Sequence, residues 1–130
     1  MLNMLFHKML SSAVAIVVIT LTACGGGAGG HSSAAAELAS RNLTPSDPAV
    51  AAIYNRSCRN CHTIAATGAP LTGDSTTWAT LMSKGRETLV NNVVNGFGGM
   101  PPFGMCMDCD LEQFEALIDF MASPADKDQG

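Results

Sequence analysis

Basic side chains are scarce in this 130-residue chain. Seven Lys and Arg stand against eleven Asp and Glu, so the formal net charge is −4. No basic patch forms, which argues against a nucleic-acid partner. Aromatic residues are also few, with one Trp and one Tyr. A small domain with so few large rings has difficulty building a core from its side chains alone. A long hydrophobic run is missing too. The longest uncharged apolar stretch, Ala13 to Leu21, is short for a membrane-spanning helix, which needs about 20 apolar residues. Alternating apolar and polar residues, the mark of a strand, appear nowhere, and there is no internal repeat. The chain is short enough for one small helical domain once its N-terminus is set aside.

Cysteine is what the chain does have, and in an odd number: Cys24, Cys58, Cys61, Cys106 and Cys109. Four of these fall into two Cys-x-x-Cys pairs. Cys58-Arg59-Asn60-Cys61-His62 reads as the attachment signature of a c-type haem. Each thiol adds across one haem vinyl group to give a thioether. Residues three apart share a helix face, so both sulfurs reach one edge of a flat ring. His62, four after Cys58, brings its imidazole to the iron from one side. A bound haem also supplies the apolar bulk that the composition lacks. Against this stand a redox dithiol, half a zinc site, and an ordinary helix-end histidine.

Residues 1–23 read as a secretory signal, with Lys8 and His7 in the n-region and the apolar run behind them. The run ends in Leu21-Thr22-Ala23-Cys24, which resembles the lipobox of bacterial lipoproteins. In such proteins the cysteine thiol receives a diacylglyceryl group and cleavage falls just before it, which accounts for the odd cysteine. Residues 24–45 are rich in Gly, Ala and Ser and read as a flexible tether of roughly 25 Å average reach, with His31 solvated within it. A transient helix is expected over Ala34 to Leu38.

The folded domain is expected over 46–123, followed by a mobile tail at 124–130. Ser46-Asp47-Pro48 is a helix start, and Val50, Ile53, Tyr54 and Cys58 follow at helical spacing. Tyr54 reads as core with its hydroxyl at an edge. Asp74 or Ser75 caps a second helix through Trp78, Leu81 and Met82, stopped by Gly85. A third helix runs from about Arg86 to Asn95, with Leu89, Val90, Val93 and Val94 as its apolar stripe. Asp110 and Gln113 form a capping box for the last helix, whose buried face is Leu111, Phe114, Leu117, Ile118 and Met121.

A haem iron held by His on one face often takes a Met thioether on the other. Met100 is the best candidate, because glycines before it permit close approach and Pro101-Pro102 stiffen the loop after it. Met82 and Met121 lie on helical stripes and read as core. Met105 and Met107 sit in the tight loop beside the second cysteine pair.

From about Val50 to Met121 the chain resembles a class I c-type cytochrome, and within that class the cytochrome c5 group. The matching pieces are the Cys58–His62 motif, Gly68-Ala69-Pro70, Gly73-Asp74, Trp78, Met100-Pro101-Pro102 and Cys106-Met107-Asp108-Cys109. The resemblance implies a small all-α fold of about four helices around one covalently bound haem c. It implies that the Pro70 carbonyl receives the ligating histidine, that Trp78 lies near a haem propionate, and that Cys106 and Cys109 pair as a disulfide. The family commonly has an arginine shortly after the tryptophan, where this chain has Thr80-Leu81-Met82. The lipobox and tether are additions to the usual form.

These features point to a one-electron carrier and not an enzyme. His62 and Met100 fill both axial sites, and one Cys-x-x-Cys-His implies one haem. The expected protein is an exported monomer on the periplasmic side, lipid-anchored to a bacterial membrane. The anchor would concentrate it near redox partners such as membrane oxidases or reductases. An acidic carrier favours a partner with a basic docking face, and its association would be salt-dependent. Two other readings remain: a structural zinc protein built on the four paired cysteines, and a small catalytic haem protein with Met100 displaceable.

Overall fold

The computed structural model describes residues 28–124, and of residues 28–33 the backbone alone. The expected signal peptide, Cys24, the His31 side chain and residues 125–130 lie outside this description.

The first described element corrects the expectation of a tether. Residues Ala28–Asn42 form helix α1. Alanines, Glu37 and Leu38 are good helix formers, and Glu37 pairs with Arg41 one turn on at 2.5 Å. Such a segment is marginal alone, and docking is what holds it. Ser40 and Leu43 are buried against the domain, so the folded unit begins well before Ser46.

Asp47 then opens a continuous helical run, accepting from the Ala49 and Val50 amides at 2.7 and 3.0 Å with Pro48 in the first turn. The run comprises α2 (Pro48–Ile53), a π turn (Tyr54–Cys58) and α3 (Arg59–His62). In the π turn the Arg59 N–H donates to the Tyr54 carbonyl five residues back. Such one-turn bulges recur at functional sites because they re-aim side chains within a helix. The motif thus straddles the join, with Cys58 closing the π turn and residues 59–62 in α3.

A loop with a 3-10 turn at Ala65–Thr67 leads to α4 (Ser75–Met82), capped by Asp74. Helix α5 (Arg86–Asn95) ends at Gly96. Helix α6 (Leu111–Ala122) starts with both halves of the Asp110/Gln113 capping box in place. Counting the run 48–62 as one helix, the domain expected over 46–123 holds four helices, and α1 is a fifth. Among the described residues there is no strand beyond an isolated bridge between Phe97 and Met100.

The core lies where α2, α4 and α5 meet α6. Ile53, Tyr54, Trp78, Leu89, Val90, Phe114, Leu117, Ile118 and Met121 are buried there. The Tyr54 ring meets Phe120 edge-on at 4.9 Å. Two positions differ from the sequence expectation. Leu111 is 61% exposed, because the first turn of α6 projects beyond the layer it packs on. The Tyr54 hydroxyl is not at an edge. It is wholly buried and donates to Thr72 Oγ1 at 3.0 Å, which satisfies a group that would otherwise be costly to bury.

Candidate haem site

The end of the π turn and the single turn of α3 that follows it present Cys58, Cys61 and His62. Both thiols are free, Cys58 half-buried and Cys61 exposed. Burial, and next the neighbouring Cys61, pushes the Cys58 thiol up to about 11. A nucleophilic redox dithiol needs the opposite shift. The chemistry that suits this pair is addition of the neutral thiol across an alkene, in which S–H adds to C=C and nothing leaves.

His62 is buried and its ring is fixed from behind. Its Nδ1 lies 2.8 Å from the Pro70 carbonyl. A carbonyl only accepts, so Nδ1 carries the proton and Nε2 keeps a free lone pair. Burial lowers the imidazole pKa, more strongly than the Pro70 carbonyl raises it, so the neutral form is favoured. A neutral imidazole oriented through Nδ1 is the form that binds a metal.

The loop supplying Pro70 is itself held. Gly68 ends the 3-10 turn at φ +72°, a conformation that side chains rarely adopt. The Thr72 N–H returns to the His62 carbonyl at 2.8 Å. Trp78 lies against the His62 ring, with centroids 6.3 Å apart, and its indole N–H donates to the Leu71 carbonyl at 2.8 Å. Its one polar hydrogen therefore braces the Pro70 loop.

The Met100 loop is a tight reverse turn. Phe97 and Met100 exchange both backbone hydrogen bonds, at 3.1 and 2.9 Å, across Gly98 (φ +59°) and Gly99. Gly96 is obligatory: a Cβ there would stand 2.9 Å from the Met100 carbonyl. Met100 is half-buried, whereas Met105 and Met107 are 71% and 74% exposed. The Met100 methyl rests on Gly104, where a Cβ would come within 3.2 Å of it. Gly104 belongs to the 3-10 turn Pro102–Met105, in which Phe103 and Met105 both hold positive φ. Non-glycine residues in that region concentrate at functional sites.

Cys106 and Cys109 form a disulfide with Cα atoms 5.4 Å apart. Arg56, from the π turn, forks onto both oxygens of Asp108 at 2.9 and 2.8 Å and so ties the disulfide loop to the haem-motif helix. Among the described residues the one potential metal cluster is Cys106, Asp108 and Cys109. Its sulfurs are bonded to each other, and Cys58 and Cys61 are not part of it. The structure therefore overturns the four-cysteine zinc reading. Alkylating the protein without reductant is expected to label neither Cys106 nor Cys109, and reduction beforehand is expected to label both. Labelling before reduction would contradict the bridge.

Sequence reasoning missed Gly104 and the contributions of α1, and it read Gly96 only as the end of a helix. Glu37 accepts the Ala65 N–H at 2.8 Å, and Ser40 donates to the His62 carbonyl at 3.0 Å. The two glycines were visible as glycines flanking Met100. The α1 contacts span more than twenty residues of chain and left no local signal.

Two adjacent thiols and an oriented neutral imidazole, on one helix of a small all-α domain, define a c-type cytochrome. Residues 45–121 match the family model described as Cytochrome C oxidase, cbb3-type, subunit III, and the chain belongs to this family of class I c-type cytochromes. It is 39% identical over 66 residues to cytochrome c-555 of Chlorobaculum tepidum, covering 50% of this chain and 61% of that protein. It is 34% identical over 67 residues to cytochrome c5 of Azotobacter vinelandii, covering 50% of this chain and 81% of that one. The chain thus spans about three fifths of the first of these relatives and four fifths of the second. A solved cytochrome c, from the crystal structure of an electron transfer complex of nitrite reductase with cytochrome c, superposes with a TM-score of 0.52 at 33% identity. That match covers 58% of this chain and 93% of the other. The cofactor of this family is one covalently attached haem c, and Cys58 and Cys61 fit its attachment motif. The donor set fits that group: two free thiols, and an imidazole whose Nε2 is left open.

Proposed function

We propose that this protein is a one-electron carrier with His62 and Met100 as axial ligands of a single haem c. The observation that carries the reading is the His62 Nδ1 to Pro70 carbonyl bond, because it fixes the ring and leaves Nε2 unprotonated with its lone pair free. Haem c supplies a ferric/ferrous couple when bound. Cys58 and Cys61 would hold it through two thioethers. His62 would bind the iron through Nε2, and the bond to Pro70 raises its basicity. Met100 would supply a soft thioether, its loop limited by the Phe97–Met100 bridge and by Pro101-Pro102. Two protein ligands leave no open position for a substrate, which favours a carrier over a catalyst.

The partners proposed are redox proteins, and the solved relative, crystallised in an electron transfer complex with nitrite reductase, supports a redox-enzyme partner. The proposed location is the periplasmic side of a bacterial membrane, with Cys24 lipidated. Among the described residues no helix is long and apolar enough to cross a membrane.

Covalent attachment is the first test. Acid-acetone extraction is expected to leave the colour with the polypeptide. Haem released into the organic phase would refute the role of Cys58 and Cys61.

A further inference from the structure

We propose that Ser40, carried by α1, is a positioning residue for His62. Its hydroxyl fixes the His62 carbonyl and, through it, the angle at which the imidazole meets the iron. The proposal rests on His62 being an axial ligand.

Ser40 is fully buried, and its hydroxyl donates across 22 positions to the His62 carbonyl at 3.0 Å. A serine within a helix usually returns its hydroxyl to the carbonyl one turn back. This one reaches into the haem-motif helix instead. The same carbonyl accepts from the Thr72 N–H at 2.8 Å. Both of its lone pairs are therefore engaged, one by α1 and one by the Pro70 loop. The peptide plane beside the imidazole-bearing carbon is fixed from two sides, while Pro70 fixes the ring itself at Nδ1. Two further contacts keep α1 along the same stretch of backbone. Glu37 accepts the Ala65 N–H at 2.8 Å, and Arg41 Nε donates to the Thr63 carbonyl at 3.4 Å. A helix serving as cover would present apolar side chains to the domain. This one presents hydrogen-bonding groups aimed at the backbone of residues 62–65.

The test uses holoprotein variants Ser40→Ala and Ser40→Thr. The readout is the proton NMR spectrum of the ferric form, in which paramagnetically shifted haem methyl resonances report the orientation of the axial ligands. Circular dichroism of each variant checks that the fold is kept. Ser40→Ala is expected to shift the haem methyl pattern resolvably at unchanged helix content, and Ser40→Thr, which keeps the hydroxyl, to restore the wild-type pattern. As a second measurement, the ferrous iron–histidine stretch is recorded by resonance Raman in a Met100→Ala background. Adding Ser40→Ala is expected to shift or broaden that band. A methyl pattern and stretch unmoved by Ser40→Ala would overturn the positioning role while leaving His62 as ligand. The absence of any iron–histidine band in the Met100→Ala protein would overturn the His62 reading, and this proposal with it.

Discussion

Replacing Met100 by alanine is expected to leave the covalent haem and most of the helix content in place and to change nearly everything about the iron. Both thioethers and His62 remain in that variant, and Met100 is only half-buried in a loop outside the main core. A thioether is a soft, neutral donor that favours ferrous iron, so its loss lowers the reduction potential. Axial ligands span about 0.8 V of potential across haem proteins, and a fall of on the order of 100 mV or more is expected here. The weak long-wavelength ferric band of sulfur–iron bonding should vanish, and cyanide or carbon monoxide should bind. Met105→Ala should do none of these, because Met105 is 71% exposed. Should the Met105 variant lose the band while the Met100 variant keeps it, the ligand assignment is wrong. The Gly104 cradle and the Phe97–Met100 turn would then need another explanation.

Cys24→Ala is expected to move the protein from washed membranes into the soluble exported fraction almost completely. Each buried methylene of an acyl chain contributes about 0.8 kcal/mol, so one chain holds only marginally and a diacylglyceryl group holds stably. The folding of residues 28–42 changes what that anchor would do. The tether was expected to run to residue 45, with an average reach of roughly 25 Å. With α1 docked on the domain, residues 24–27 alone separate the proposed anchor from helix, and four residues extend at most about 14 Å. The haem domain would then be joined to the anchor mainly by helix, a stiffer link than the expected tether. Full retention of the Cys24→Ala protein on membranes would refute the anchor.

What was legible in the sequence was mostly local chemistry. Asp47 before Pro48, Asp74 before α4 and the Asp110/Gln113 box start helices through side chains within a few residues of the end they cap, and Gly96 ends α5 at positive φ. Periodicity found the buried stripe of α6, but it also assigned Leu111 to the core. A stripe gives a direction and not how far the neighbouring layer extends. The π turn at Tyr54–Cys58 was not legible, because one extra residue in one turn barely alters the apolar spacing. Helix α1 was read as tether for a compositional reason. Alanine and serine bury little apolar area, and what docks them is Ser40, Glu37 and Arg41 bonding to backbone 22 to 28 residues away. Contacts of that range carry no trace in a window of sequence.

The most direct test of the account is a spectroscopic redox titration of the purified protein. The account predicts a low-spin spectrum in both oxidation states and a single reversible transition with a one-electron slope, about 59 mV per decade. The ferric sulfur–iron band should disappear in step with reduction. A high-spin ferric spectrum, or a transition accompanied by binding of an added ligand to the wild-type iron, would contradict a carrier with both axial positions filled by His62 and Met100.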